Sequence, residues 1–174
     1  QPPEQWDDLK KLAETNYDNP ETGCCARLDR AAWDEREVVW EEKPFLRDHI
    51  REFLHVPLNF GSVITRDNAM IEEASAYPED PLWLTEEVSP WGSEIYLAVD
   101  RDVPGAKIET LSGTFLTKVF EGPYRHAGRW MKEMEEYVRA KGHEPDVIYY
   151  YYATCPKCGK TFGKNEVVLF AKVA

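Results

Sequence analysis

The amino-acid sequence predicts an α+β fold: two pseudo-symmetric strand–helix–strand–strand units that form one antiparallel sheet with both helices on one face. The chain has 174 residues, of which 43% are hydrophobic, and this suits one domain or two small halves with a common core. Apolar residues alternate in some segments, as in strands, and recur every three or four residues in others, as in helices. The order of these segments then repeats, over about 53–106 and again over about 107–174.

The elements follow the same order in both units. In the first, we predict a strand over 53–60, a helix over 64–76, and strands over 82–84 and 94–99. In the second, we predict a strand over 107–120, a helix over 124–141, and strands over 147–153 and 166–173. The closing strands match in detail, since Glu94 and Glu166 each precede a Leu by three residues. The sequence therefore predicts an internal repeat.

The boundaries of the elements rest on helix and turn signals. The second helix carries one apolar stripe, with Pro123 suited to its first turn and Gly142 to its end. Residues 1–37 are interpreted as an N-terminal extension that packs on a domain spanning 38–174. Within that domain, 38–40 favours a further strand, and the secondary structure of 44–53 is ambiguous.

Charge and composition exclude several classes of function. The net charge is −11, and the basic residues are scattered among acidic ones, which argues against a nucleic-acid surface. No apolar run approaches the length of about 18 residues that a membrane helix needs, and no leader pattern opens the chain. We therefore expect a cytoplasmic protein, monomeric or homodimeric, that contacts neither membrane nor nucleic acid. Its acidic surface would weakly attract cations.

Aromatic residues supply the first candidates for a ligand site. The chain has six Trp and nine Tyr, which either fill a core or line a pocket. In the run 149–152, alternation places Tyr149 and Tyr151 on one face and Tyr150 and Tyr152 on the other. One pair should pack on the helices while the other lines a cleft, and the repeat favours Tyr149 and Tyr151 for the cleft. The remaining aromatic candidates for ligand contact are Trp40, Trp91, Phe120 and Trp130, although Trp130 also fits a core position.

Three glutamates could supply a general base or a charge partner. Glu121 and Glu166 adjoin strongly apolar segments, where desolvation would raise the pKa of a carboxylate toward a catalytic value. Glu94 is the third candidate. Each of them also fits a solvated strand end, which is the commoner role of Glu. If the two units meet side by side, their seam would form the groove that holds these groups.

The sequence offers little evidence for a metal or cofactor. Cys155 and Cys158 have the spacing of a zinc knuckle, but a complete site needs two further ligands, and adjacent Cys24 and Cys25 ligate one ion poorly. Reduced structural thiols are the favoured interpretation, with structural zinc and a redox pair as alternatives. Because no phosphate-binding loop or dinucleotide fingerprint is present, we expect no nucleotide chemistry and no cofactor.

The second unit carries a family resemblance. Residues 120–124, Phe-Glu-Gly-Pro-Tyr, lead from a strand into a helix with an internal Trp, and in this they resemble GyrI-like ligand-binding domains. The chain is most similar to a stand-alone branch of hydrolases in that family. The matching segments are Cys24-Cys25 and residues 55–59, 111–115, 120–124, 155–158 and 163–165.

The resemblance implies a domain that binds flat or cationic drug-like molecules, and some members of the branch open the cyclopropane of DNA-alkylating natural products. Many GyrI-like domains place a ligand-binding Glu where this chain has its tyrosine run, so the carboxylate must come from elsewhere. The leading hypothesis is a detoxifying hydrolase of a strained electrophilic ring, with Glu121 or Glu166 as base and Tyr149 as donor to the developing oxyanion. The alternatives are a non-catalytic small-molecule binder and a structural zinc-containing interaction protein.

Overall fold

The computed structural model describes residues 28–79, 81–153 and 165–174 of the chain. Within these ranges the protein is an antiparallel α+β structure, as the sequence predicts. Its elements, in chain order, are α1 Arg30–Trp33, β1 Arg36–Phe53, β2 Val56–Pro57, α2 Phe60–Glu73, β3 Trp83–Ser89, β4 Gly92–Ala98, β5 Ile108–Glu121, α3 Ala127–Ala140, β6 Ile148–Tyr152 and β7 Glu166–Lys172. A short 3₁₀ turn, Tyr124–His126, leads into α3.

The sheet closes on itself, which the sequence analysis did not foresee. Its strand order is β2-β1-β4-β3-β6-β7-β5, and β5 pairs back onto β1, so six of the described strands form a barrel. The 18-residue β1 makes the closure possible, because its first part pairs with β5 and its last part with β4. A bulge between Trp40 and Lys43, with Glu42 at φ 46°, bends β1. Without this bend the sheet would stay open, with two unpaired edge strands.

The barrel divides into two halves, and the first half includes β1, which ends at Phe53 where the predicted first unit begins. In each, the closing strand lies between the other two: β1-β4-β3 in one half and β5-β7-β6 in the other. The halves meet at β3 and β6, which pair at Thr85 and Tyr150, and we call this junction the seam. The element order and strand order are thus alike in both halves, while an origin by duplication stays a prediction.

Both long helices lie on the outer face of the barrel. Side chains of directly paired residues face the same side of a sheet. Direct pairs lead from Asp48 to Ile95, then to Thr85 and then to Tyr150, so Asp48 and Tyr150 face the same side. Asp48 bonds to Arg66 of α2, and the Tyr150 hydroxyl donates to a backbone carbonyl oxygen of α3. The helices therefore share one face, as predicted.

The middle of the barrel is a packed aromatic core. Phe45, Phe115 and Phe170 are fully buried there, and the Trp40 ring lies 4.7 Å from the Phe115 ring and 5.7 Å from the Phe170 ring, measured between centroids. Interiors packed in this way leave little room for a ligand. Side chains of the protein itself therefore fill the central part of the barrel interior.

The start of the first unit also differs from the prediction. The ambiguous segment 44–53 belongs to β1, and the strand expected over 53–60 is instead a turn, the two-residue β2 and the beginning of α2. Leu54 and His55 have φ values of 49° and 66°, so the chain reverses where continuous alternation predicted a strand. Among the described residues, no helix has both the length and the apolar character needed to cross a membrane.

Candidate functional site

Polar and aromatic side chains converge at one end of the barrel. They come from the inner face of five strands: the later part of β1, the end of β3, and the beginnings of β4, β5 and β6. We call these side chains the mouth cluster. Its members are Arg47, His49, Glu86, Glu94, Tyr96, Glu109 and Tyr149. The β1–β4 ladder pairs Arg47 with Tyr96 and His49 with Glu94. All four side chains therefore lie on one face of these two strands.

Arg47 occupies the centre of the mouth cluster. Its guanidinium bonds to Glu109 and lies 3.4 Å from a carboxylate oxygen of Glu94. The guanidinium carbon also lies 5.5 Å from the centre of the Tyr96 ring, within the range of cation–π attraction. The hydrogen bond to Glu109, more than any other contact, raises the pKa of Arg47. The protein thus places its own cation in an aromatic, carboxylate-lined site.

His49 and Glu94 form a second polar pair in the mouth cluster. The His49 Nδ1 atom is 3.5 Å from a Glu94 oxygen, and about half of the imidazole is exposed to solvent. Gly92 leaves room for that ring, because a Cβ at this position would lie 2.5 Å from His49 Cε1. A carboxylate next to one nitrogen of an imidazole can orient the other nitrogen toward a water molecule.

Two tyrosines form the aromatic side of the cluster. The Tyr96 hydroxyl donates to Glu86 at 3.2 Å, and the Tyr96 and Tyr149 rings meet edge to face at 5.5 Å. Burial raises the pKa of Tyr149 to about 12, and the carboxylates of Glu86 and Glu109 add to this. The Tyr149 hydroxyl therefore keeps its proton at neutral pH and can donate a hydrogen bond.

A cavity of about 380 Å³ adjoins the mouth cluster at the seam, and we call it the seam cavity. It is lined by Glu86, Glu87, Met131, Glu135, Arg139, Pro145, Asp146, Val147 and Ile148. Four carboxylates face one guanidinium in this lining, so the cavity favours cations. Glu86 belongs to both the cavity and the mouth cluster, and the carboxylate of Asp146 contributes to the raised pKa of Tyr149. The walls of the seam cavity are thus acidic and aliphatic, with the aromatic rings at its edge, and its role as the predicted ligand groove stays a prediction.

Of the predicted site residues, Glu94 and Tyr149 lie in the mouth cluster, whereas Glu121 and Glu166 lie elsewhere. Those two are ladder partners at the opposite end of the barrel, and both pair with Arg30, at 2.5 and 3.6 Å. Tyr149 pairs with Phe170, four residues from Glu166, which corresponds to about 13 Å along a strand. The predicted catalytic set of Glu121, Glu166 and Tyr149 therefore does not meet at one point.

The predicted aromatic contacts are mostly core residues. Trp40 and Tyr151 belong to the barrel core, while Phe120 and Trp130 stack on each other at 6.1 Å in the layer beneath α3. Trp91 is 58% exposed and rests against Phe53 at 5.8 Å. None of these five side chains is a member of the mouth cluster or lines the seam cavity.

The second tyrosine pair and the cysteines are the remaining residues for which the sequence made a prediction. Tyr150 and Tyr152 stack on each other at 5.7 Å on the outer face, as strand alternation predicts. Cys155 and Cys158, the weak metal candidates, lie outside the described residues, as do Cys24 and Cys25. Within the described part of the chain, the side chains grouped closely enough to hold a metal ion are Glu52, His55 and Glu87, on the outer face.

Most of the mouth cluster was missed by sequence reasoning. The overlooked residues are Arg47, His49, Glu86, Tyr96 and Glu109. Alternation within 94–99 does place Glu94 and Tyr96 on one face, so that pair could have been found. Arg47, His49 and Glu109 could not, because their proximity depends on β1 pairing with β4 and β5 at once, and Glu86 depends on the register of β3 with β4.

Comparison with known proteins places the chain in a family. Residues 15–173 match the model of a family described as bacterial hydrolase, so this protein belongs to that family. No curated protein matches the sequence.

Solved structures share the fold at low sequence identity. A conserved, uncharacterised protein from Listeria innocua aligns with a TM-score of 0.61 at 12% identity, over 82% of this chain and 94% of its own. A hydrolase from the same organism aligns with a TM-score of 0.56 at 12% identity, over 95% and 98%. The C-terminal domain of EcmrR aligns with a TM-score of 0.53 at 11% identity, over 82% and 98%. These matches fit the GyrI-like fold that the sequence resembles.

Proposed function

We propose that this protein is a small-molecule hydrolase that takes a flat or cationic substrate into the seam cavity and reacts with it at the mouth cluster. One observation carries the proposal. Three carboxylates, Glu86, Glu94 and Glu109, surround the Tyr96–Tyr149 pair beside a cavity of about 380 Å³. That volume lies within the usual range of small-ligand sites. Carboxylates and aromatic faces together attract flat cations.

The residues of the mouth cluster have the chemistry that hydrolysis requires. The Glu94–His49 pair would accept a proton from water, and the water oxygen would bond to an electrophilic carbon of the substrate. In a strained ring conjugated to a carbonyl, the ring bond to that carbon breaks and its electrons move to the carbonyl oxygen. The Tyr149 hydroxyl would stabilise the oxyanion, which the proton from the base later neutralises.

The substrate class follows from the family resemblance together with the site. A cyclopropane conjugated to a flat aromatic system is electrophilic and planar, and its opening by water would detoxify an alkylating compound. The acidic lining of the seam cavity favours molecules that also carry a positive charge.

A non-catalytic binding function is the second candidate, and Arg47 favours it. Its guanidinium pairs with both Glu94 and Glu109, so these two carboxylates already bind a cation of the protein itself. A protein that only sequesters or senses its ligand needs no base. In that case the carboxylates would serve recognition alone.

Turnover of a cyclopropane-bearing alkylator, followed by its absorbance spectrum, tests the proposal. We expect Glu94→Gln to lower kcat by about 100-fold or more while the substrate still quenches tryptophan fluorescence. Glu133→Gln, at an exposed position on α3, is the matched control and should keep wild-type kcat. Stoichiometric quenching without product would favour the binding function instead.

The same assay tests the sequence-based candidates for the base. Glu121→Gln and Glu166→Gln should retain turnover if the reaction takes place at the mouth cluster. Loss of turnover in either variant, with Glu94→Gln fully active, would place the base at the opposite end of the barrel and contradict our assignment.

A further inference from the structure

A second polar cluster lies on the outer face of the barrel, outside the proposed reaction site. Glu52 is the second-last residue of β1, His55 lies in the turn before β2, and Glu87 lies on β3. One potential ligand atom of each side chain lies within 4.8 Å of those of the other two. The His55 Nδ1 atom lies 3.4 Å from Glu87 Oε2. We call these three residues the Glu-His-Glu cluster.

Glu52 is the unusual member of this cluster. The residue is only 5% exposed, and its Oε2 atom is buried with no hydrogen-bond partner among the described residues. A buried carboxylate oxygen without a partner is unfavourable, and a second carboxylate beside it adds repulsion.

The backbone holds the three side chains in place. Glu52 N–H donates to the Trp91 carbonyl at 2.8 Å, and His55 N–H donates to the Pro90 carbonyl at 3.0 Å. The β1–β2 turn and the β3–β4 turn are therefore bonded to each other. Glu52 and Glu87 stand on neighbouring parts of the same sheet face, and the bonded turns place the exposed His55 side chain beside them.

We propose that the Glu-His-Glu cluster binds one divalent transition-metal cation, of the class of Mn²⁺, Fe²⁺ or Zn²⁺, with Glu52, His55 and Glu87 as its ligands. Two carboxylates neutralise the charge of such an ion, and a set of one imidazole and two carboxylates suits these metals better than Ca²⁺ or Cu⁺. The bound ion would give the buried Glu52 Oε2 atom a partner. This site does not depend on the proposed hydrolase function.

The geometry sets what must move on binding. Ligand atoms about 2.1 Å from one ion lie about 3 to 3.4 Å apart. The His55–Glu87 separation of 3.4 Å therefore already suits a shared ion. His55 and Glu87 can move inward, since their side chains are 60% and 33% exposed. Glu87 also lines the seam cavity, and the ion would therefore lie at the edge of that cavity.

Titration of the full chain with Mn²⁺, followed by electron paramagnetic resonance, tests the proposal. Mn²⁺ is the probe because thiolates such as those of Cys155 and Cys158 prefer softer metals, so the cysteines do not compete. We expect one Mn²⁺ per chain, displaced by Zn²⁺. His55→Asn and Glu87→Gln should each weaken binding at least about tenfold, whereas His143→Asn, at an exposed position, should bind as the wild type does.

Two further measurements keep the test decisive. Glu52→Gln changes a buried group and can unfold the protein, so the two exposed variants carry the result once circular dichroism shows that they are folded. Echo-modulation spectra of bound Mn²⁺ should contain a histidine nitrogen signal that His55→Asn removes. No bound Mn²⁺ at millimolar concentration, or wild-type affinity in both His55→Asn and Glu87→Gln, would overturn the proposal.

Discussion

Replacing Arg47 with alanine should convert the mouth cluster into a stronger binding site for a small aromatic cation. In the wild type, the Arg47 guanidinium lies over the Tyr96 ring and pairs with Glu94 and Glu109. The three carboxylates of the cluster and one guanidinium give a formal charge of −2 with His49 neutral, and the substitution changes it to −3. It also uncovers the face of the Tyr96 ring.

The size of the effect follows from Coulomb's law. Two unit charges about 6 Å apart interact by about 1.4 kcal/mol at an effective dielectric constant of about 40, which is intermediate between the protein surface and water. This choice suits Arg47, whose side chain is 25% exposed. Removal of the repulsion should therefore tighten the binding of a cation about tenfold.

Isothermal titration calorimetry with benzyltrimethylammonium at low salt measures this effect. Neopentylbenzene has the same shape without the charge, and its affinity, followed by NMR, should change little. Arg101→Ala is the matched control, because Arg101 pairs with Asp100 on the surface and is 59% exposed. The electrostatic argument fails if Arg47→Ala binds the cation no better than the wild type, or if the neutral compound gains equally.

Three further predictions concern catalysis and stability. Tyr149→Phe should lower kcat about 100-fold with substrate affinity unchanged, because it removes only the hydroxyl; equal losses in both would contradict a role in the oxyanion step. Gly92→Ala should lower kcat about tenfold by displacing His49 from Glu94, since the new Cβ would meet the ring; a wild-type rate would remove His49 from the mechanism. Burial raises the pKa of Asp67 from 3.8 to about 7, and the neighbouring Asp48 adds to this shift. The unfolded state therefore loses the proton at a lower pH than the folded state, so the free energy of unfolding falls as the pH rises between these two values. Asp67→Asn should therefore be more stable than the wild type by about 1–3 kcal/mol at pH 8 and by less at pH 4 in urea unfolding, and a constant difference would refute this.

Much of the fold could be predicted from local patterns. The three-and-four spacing from Tyr124 to Val138 and the stop at Gly142 anticipate α3, which ends at Ala140 with Gly142 at φ 85°. The strand order was not accessible in the same way. Closure of the barrel depends on a bulge near Glu42 and on partners of β1 that lie about 40 to 80 residues away, as in the pairs of Phe45 with Ala98 and Glu109.

The site was predicted less completely, and the reason is physical. Glu94 was identified because it opens the closing strand of the first unit, and Tyr149 because the repeat favours its face of the tyrosine run for the cleft. Arg47 and Glu109 carried no such signal, since a lone charged residue in a sequence most often faces solvent. Their importance comes from pairing with each other across neighbouring strands, and this register can be read only from the folded chain.

A crystal structure of the wild-type protein grown with benzyltrimethylammonium tests the location of the ligand site most directly. We predict density for the cation against the Tyr96 and Tyr149 rings, with its charge near Glu86 and Glu94 and the Arg47 guanidinium displaced from Tyr96. Density beside Glu121 and Glu166, with the mouth cluster unchanged, would contradict the account.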